Sequence, residues 1–151
     1  MALDQQTDMT ASDVDALLGR HETGVLALAR ADDPYAIPIS YGYDATARSF
    51  YLRLVSMPDS EKREFLDSSP RCRLVVYEED ETIYRSAIAE GRLTEIPREE
   101  LTVEHVEQYG DAKRPLFEIW GESKQDLDIK LYHLDPDELG GRRVDVDEVD
   151  V

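Results

Sequence analysis

The chain has little cysteine, little lysine and no long apolar segment. Cys72 is the single cysteine among 151 residues, which excludes an internal disulfide. It lies in the apolar stretch 72–76, where a buried and unreactive thiol is typical. The longest apolar run covers only residues 24–29, and the first ten residues contain neither a basic nor an apolar signal region. We therefore expect no membrane span and no signal peptide, and we predict a cytoplasmic protein.

The signatures of common catalytic and metal sites are also missing. The sequence contains no Gly-x-Ser-x-Gly, no Gly-x-x-x-x-Gly-Lys and no Gly-x-Gly-x-x-Gly segment. His21, His105 and His133 lie far apart and lack ligand spacing, so we interpret them as structural or surface histidines. Acid pairs such as Glu99–Glu100 and Asp126–Asp128 are expected by chance in a chain with 34 acids. We assign no catalytic side chain and no metal site.

Negative charge is what the sequence has in excess. Thirty-four acids oppose 17 bases, giving a formal net charge of −17, and the acids are spread along the whole chain. Such a surface repels itself at low salt, whereas at molar salt the Debye length falls to about 3 Å. The pattern resembles that of cytoplasmic proteins from salt-accumulating halophiles, with an ordinary acidic protein as the alternative. The field disfavours binding to nucleic acid or to anionic membranes.

Apolar residues alternate with small or polar ones in several segments, which is the period of β-strands. We predict strands at residues 24–30, 35–43, 49–55, 72–77, 82–96 and 127–134, the first three as an antiparallel meander. Because no strand–helix–strand rhythm exists, the predicted fold class is mainly β, an antiparallel, Greek-key-like closed barrel with small helices. We predict one domain over residues 1–151, with its core in 13–134, a turn at 135–141 and an acidic tail in 140–151.

Three short helices are predicted beside these strands. Thr10 or Ser12 begins the first helix, and Gly19 or Gly24 ends it. A second helix of one or two turns lies between the third and fourth strands, and a third covers residues 98–109. The buried stripe of the first helix is predicted to consist of Val14, Leu17 and Leu18.

A small basic cluster stands out against the acidic background. Arg53 lies in the middle of the third predicted strand, and Ser60 and Lys62 lie at the start of the short second helix. A cation in the first turn opposes the helix dipole unless an anion is bound there. Helix N–H groups, the Ser60 hydroxyl, the Lys62 ammonium and the Arg53 guanidinium would together bind a monophosphate. The alternative is that Lys62 and Arg63 form ion pairs with acids of a solvated helix face.

The strand 35–43 has one large apolar face and one small face. The small face consists of Ala36, Pro38, Ser40 and Gly42. It leaves room for a planar ring to lie close to the backbone, although close packing by another strand, helix or subunit explains it equally well. Arg85 and Ser86 form a further candidate segment, with their side chains on opposite faces of a strand. Trp120 either stacks on a ring or fills an interface.

Together these segments resemble the pyridoxamine 5′-phosphate oxidase-like family of FMN-binding split β-barrels, especially its small archaeal members, of haloarchaeal type. The resemblance spans residues 13–134 approximately and depends on the order and spacing of several segments. These are GVLALA at 24–29, PYAIPISY at 34–41, FYLR at 50–53, SEK at 60–62, RCRLVVY at 71–77 and YRSAIAEGRL at 84–93.

The resemblance implies a homodimer that holds two FMN molecules at its interface. It implies that Lys62 binds the flavin phosphate, with Ser60 and Arg53 assisting. It also implies two groups near the rest of the cofactor: the strand residues Ile37, Pro38, Ile39 and Ser40 against the isoalloxazine ring, and the pair Arg85 and Ser86.

The implied activity is that of a flavin-dependent oxidoreductase acting on a small-molecule substrate or electron donor. A non-catalytic module that handles a flavin, a deazaflavin or haem is the alternative. True pyridoxamine phosphate oxidases have an Arg- and Trp-rich C-terminal segment, whereas this chain ends RRVDVDEVDV. We therefore do not expect oxidation of that vitamer.

Overall fold

Strands dominate the computed structural model, which describes residues 6–56, 61–67, 71–97 and 128–146. The elements in these ranges are β1 (Gln6–Asp8), α1 (Ala11–Arg20), β2 (Thr23–Arg30), β3 (Asp33–Asp44), β4 (Ser49–Ser56), α2 (Glu61–Asp67), β5 (Arg71–Asp80), β6 (Ile83–Glu95) and β7 (Asp128–Asp145). Neither α1 nor α2 is long and apolar enough to cross a membrane. The predicted helix at 98–109 lies outside the described residues, as do His105 and Trp120.

The strands close into an antiparallel barrel. Their order is β1-β7-β4-β3-β2-β5-β6, and a further ladder between β6 and β7 closes the barrel. Strand β7 is long enough to pair with three other strands. Its first part pairs with β4, and its later part lies between β6 and β1. The predicted mainly-β barrel and its β2–β3–β4 meander are confirmed.

The length of β7 corrects the sequence analysis. We predicted a strand ending at Leu134 and then a turn, but β7 continues to Asp145, so the first part of the predicted acidic tail belongs to the barrel. Pro136 is opposite Gly91, beside a shift in register at Glu90. A bulge tolerates a proline because the ladder is already interrupted there.

Alternate strand residues fill the interior of the barrel. This core includes Leu26, Leu28, Ile39, Tyr41, Phe50, Leu52, Leu54, Cys72, Leu74, Val76, Ala87, Ala89, Leu93, Tyr132 and Leu134. Burial raises the pKa of the Cys72 thiol to about 12, so the predicted buried thiol is confirmed.

The two helices cover opposite ends of the barrel. At the end of β3, the Tyr43 hydroxyl donates to Asp15 of α1 at 2.6 Å. At the start of β3, the Tyr35 ring stacks on Phe65 of α2 with ring centroids 4.9 Å apart. Helix α1 begins as predicted, because the Thr10 hydroxyl accepts the Asp13 N–H at 3.1 Å.

The inner face of α1 is the predicted stripe of Val14, Leu17 and Leu18, all buried. The helix ends at Arg20, and His21 follows in an extended conformation. Neither of the predicted glycines therefore ends it.

Candidate functional site

Four of the predicted cofactor residues, Pro38, Ser40, Arg53 and Ser86, lie on the outer face of the barrel, whereas Ile37, Ile39 and Arg85 face the other way. Along β3, Ile39 is fully buried in the core, so its neighbours Pro38 and Ser40 face outward. Pro38 is exposed, whereas Ser40 is buried. Arg53 lies between two buried leucines of β4, which places it on the outer face too. A ring lying against β3 would therefore meet the backbone and Pro38, and not the side chain of Ile39.

A row of apolar residues crosses the outer face. Strand pairing puts Pro38 opposite Val25, Val25 opposite Val75, and Val75 opposite Ile88. Ile88 in turn is opposite Gly140 of β7. Pro38 and Ile88 are exposed, and the two valines are half-buried. We call this row, Pro38–Val25–Val75–Ile88, the apolar strip.

The next row of paired residues, on the side toward α2, has small side chains at one end and charged side chains at the other. Ala36 is opposite Ala27, and Ala27 is opposite Arg73. Arg73 is opposite Glu90, whose Oε2 lies 3.4 Å from Arg73 Nη2. Both rows are therefore apolar over β2 and β3, and the second row becomes polar toward β6.

A groove of about 570 Å³ adjoins the end of the apolar strip. Ser86, Ile88 and Arg142 lie along it. A Cβ placed on Gly140 would meet no atom within 4 Å, so the backbone there is open to the groove. Sequence reasoning selected Ser86 but missed Arg142, because Arg142 falls in the segment that we predicted as a tail.

Arg85 faces the opposite side of β6 from Ser86, as predicted. It lies at the α1 end of the barrel, where its Nη1 donates to Glu78 Oε2 at 2.9 Å. Arg20 donates to the same oxygen at 2.9 Å and, from Nε, to Oε1 at 3.2 Å. The Nε2 of His21 lies 2.7 Å from Oε1. Hydrogen bonds from Arg20, then His21 and Arg85, lower the pKa of Glu78 to about 2.

His21 thus has the structural role that the sequence predicted for it. His133 packs against Tyr51 with ring centroids 4.9 Å apart, which is also a structural contact. Within the ranges that the structure describes, no three His, Cys, Asp or Glu side chains are grouped so that they could hold a metal ion.

The basic residues around α2 differ in what they do. Arg63 is buried, and its Nε lies 3.8 Å from Asp67 Oδ1 one turn further along. It therefore forms an ion pair, as in the alternative, but from a buried position and not on a solvated helix face. Lys62 belongs to α2, but its side chain lies outside the described part of the structure, as does Ser60. The phosphate-binding role of Lys62 and Ser60 stays a prediction.

Arg53 and Ser86 lie toward opposite ends of the barrel. Arg53 is opposite Leu131, near the start of β7. Ser86 is opposite Arg142, near the end of the same strand. One copy of the chain therefore does not bring these two predicted cofactor residues together.

Comparison with known proteins defines the class of this barrel. The sequence pattern of the pyridoxamine 5′-phosphate oxidase family matches residues 10–143, and the chain belongs to that family. No curated protein matches the sequence significantly.

Several solved structures share the fold. An FAD-binding protein from Mesorhizobium loti is 21% identical, with a TM-score of 0.66 over 92% of this chain and 98% of that one. An FAD-binding protein from Mycobacterium smegmatis is 17% identical, with a TM-score of 0.63 over 92% of this chain and 98% of that one. A heme-binding protein from M. smegmatis is 14% identical, with a TM-score of 0.59 over 88% of this chain and 54% of that one. At these identities the similarity shows a common fold.

Proposed function

We propose that this chain is an FMN-binding flavoprotein that acts as a flavin-dependent oxidoreductase. The observation that carries the proposal is the apolar strip, a row of partly exposed apolar residues across the outer face of a barrel of this family. The names of two structural neighbours, both FAD-binding proteins, support a flavin as the ligand class.

The cofactor would lie with its ring against the outer face of β3 and β2. The small residues Ala36, Ala27 and Pro38 allow close approach of a planar ring to the backbone. The phosphate would be bound by Arg53 and Lys62, with Ser60 assisting. In a chain of net charge −17, a phosphate dianion needs such a local group of bases.

The active form is proposed to be a homodimer with the cofactor at its interface. Because Arg53 and Ser86 are far apart in one chain, a second copy would supply Ser86 and the adjoining groove to the flavin held by the first. The outer face also carries exposed large apolar residues: Tyr77 is 68% exposed, and Tyr84 and Ile88 are each 41% exposed. A partner copy would remove them from water. Light scattering in molar KCl should give twice the monomer mass, and Ile88→Glu should shift it toward the monomer.

A bound FMN would supply hydride and electron transfer between a donor and a small-molecule acceptor. The chain's own residues would bind and orient the cofactor: Arg53, Lys62 and Ser60 would hold the phosphate, the apolar strip would support the ring, and a partner copy would exclude water. Arg85 is excluded from direct contact in this arrangement, because its guanidinium is bound to Glu78 on the other side of β6.

Fluorescence titration with FMN tests the proposal. Lys62→Glu should abolish binding, since it replaces an attraction to the phosphate with a repulsion. Lys62→Arg keeps the charge and should retain binding, which makes it the matched control. Arg53→Ala should weaken binding by about 1.5–3 kcal/mol, the contribution of a charged hydrogen bond. Unchanged FMN affinity in Lys62→Glu would contradict the phosphate assignment.

A non-catalytic cofactor-binding module is the second candidate, supported by the heme-binding neighbour. Steady-state electron transfer from NAD(P)H in high salt separates the two candidates. Turnover with FMN bound supports the oxidoreductase, and tight cofactor binding without turnover supports the module.

A further inference from the structure

A second pocket, of about 350 Å³, lies between α1 and the ends of β5, β6 and β7. Its charged lining residues are Arg20, Arg85, Arg143, Asp13, Glu78 and Asp80. It opens on the other face of β6 from the groove of the proposed flavin site, because Arg85 and Ser86 lie on opposite faces of that strand, and Met9 lines both. We call it the α1-end pocket.

Two of its arginines face each other directly. Arg85 of β6 is paired with Arg143 of β7, so both side chains lie on the same face of adjacent strands. Like charges in this position destabilise a sheet unless a counter-charge lies between them.

Glu78 cannot supply that counter-charge to both. Its Oε2 already accepts hydrogen bonds from Arg20 and Arg85, and its Oε1 contacts Arg20 and His21. Among the residues that the structure describes, Arg143 has no side-chain hydrogen bond or ion pair. This is unusual in a chain where acids outnumber bases two to one.

Two further acids, Asp13 and Asp80, line the pocket, and like Arg143 they are exposed, so water and salt screen these three charges. Arg85, by contrast, is 21% exposed and its guanidinium is held in place by Glu78. A fixed guanidinium loses less side-chain entropy when it binds a further anion.

We propose that the α1-end pocket binds a small oxyanion, of the phosphate or carboxylate class, between Arg85 and Arg143. Planar guanidinium groups present paired N–H donors that match the oxygens of such anions. The volume is at the lower end of the range for ligand pockets, which fits a small anion better than a dinucleotide. Bound there, the anion would join the end of β7 to β6 and α1.

The test uses the full chain with FMN in excess, so that the proposed flavin-phosphate site is filled, and two probes, inorganic phosphate and citrate, each compared with KCl at the same ionic strength. We expect at least one probe to raise the melting temperature saturably. In Arg143→Ser, the same rise in melting temperature should need at least about ten times more probe. Arg92→Ser is the matched control, because it removes the same charge from an exposed residue on the outer face of β6 that lines neither the groove nor the α1-end pocket, and it should respond like the wild type. Arg143→Gln repeats the test with a longer side chain.

The outcomes separate this site from the flavin site. Lys62→Glu should keep the phosphate or citrate response, and Arg143→Ser should keep the FMN affinity of the wild type. No saturable response to either probe would overturn the inference, as would equal losses in Arg92→Ser and Arg143→Ser. Loss of FMN binding in Arg143→Ser would also overturn it, because the pocket would then belong to the flavin site. A wild type that fails to bind FMN but binds phosphate through Arg143 contradicts the proposed function and leaves this inference supported.

Discussion

The hydroxyl of Tyr41 donates a hydrogen bond to the backbone carbonyl of Leu18 at 2.8 Å. Leu18 lies in the last turn of α1, where carbonyls have no partner within the helix. Both residues are buried, and burial raises the pKa of Tyr41 well above its ordinary value, so the hydroxyl stays a donor. A side chain of the barrel thus completes the hydrogen bonding of the helix that covers its end.

Tyr41→Phe should therefore lower the free energy of unfolding by about 1–3 kcal/mol, because it leaves a buried carbonyl without a donor. Tyr77→Phe is the control: Tyr77 is 68% exposed, and the change should stay within about 0.5 kcal/mol. Denaturant unfolding measures both. Equal effects of the two substitutions would show that the contact with Leu18 contributes nothing.

The Glu78 cluster predicts a specific sensitivity to acid. The pKa of Glu78 is lowered to about 2 in the folded protein, from an ordinary value of 4.5. The stability that this carboxylate contributes is therefore complete above about pH 4.5, and it is lost as the pH falls toward 2. Glu78→Gln should lower the free energy of unfolding by roughly 3 kcal/mol at neutral pH. The difference in free energy of unfolding from the wild type should shrink as the pH falls.

Glu79→Gln is the control for Glu78→Gln. Glu79 is the next residue on β5, and its carboxylate accepts the Tyr84 hydroxyl at 3.2 Å on the outer face. The free energy of unfolding of Glu79→Gln should differ little from that of the wild type at any pH. If the difference in free energy of unfolding between Glu78→Gln and the wild type does not change with pH, the role of the cluster is contradicted.

Two adjacent glycines test the corrected course of β7. A Cβ on Gly141 would lie 2.8 Å from the Ser86 carbonyl oxygen and 2.9 Å from Met9 Sδ, whereas a Cβ on Gly140 meets nothing within 4 Å. Gly141→Ala should destabilise the protein by about 1–3 kcal/mol through overpacking. Gly140→Ala should be neutral or stabilise the strand by up to about 1 kcal/mol. Similar melting temperatures for the two variants would mean that β7 does not pack against β6 as described.

The charge of −17 predicts a strong dependence on salt. The melting temperature should rise steeply between about 0.1 M and 2 M KCl, as screening removes repulsion among the surface carboxylates. Thermal unfolding at both salt concentrations measures this. Equal melting temperatures would favour the ordinary acidic protein over the halophilic one.

Local patterns predicted the elements whose signals are contained within a few residues. The strict alternation along β3, the cap at Thr10 and the stripe of α1 each follow from neighbouring side chains. The opposite orientation of Arg85 and Ser86 follows from the strand period alone. Which of the two faces outward does not, because it depends on how the whole barrel closes.

The features that the sequence did not predict depend on pairing between strands that lie far apart along the chain. Pro136 and the two glycines after it resemble a turn locally, but a bulge and pairing with β6 keep them in β7. The predicted strand 72–77 leaves Glu78 outside it, whereas β5 extends to Asp80 and Glu81 takes a left-handed conformation with φ of 54°. In a chain with 34 acids, one more glutamate gave no signal of the two arginines and the histidine that surround it.

The most direct test of the central claim is to identify the small molecule bound to protein purified in molar KCl. Absorbance of the intact protein, followed by mass spectrometry of what it releases on denaturation, gives both the class and the amount of cofactor. We predict a flavin spectrum and FMN at one molecule per chain, either as purified or after incubation with excess FMN. Release of haem, FAD or a deazaflavin, or no bound chromophore after that incubation, would contradict the account.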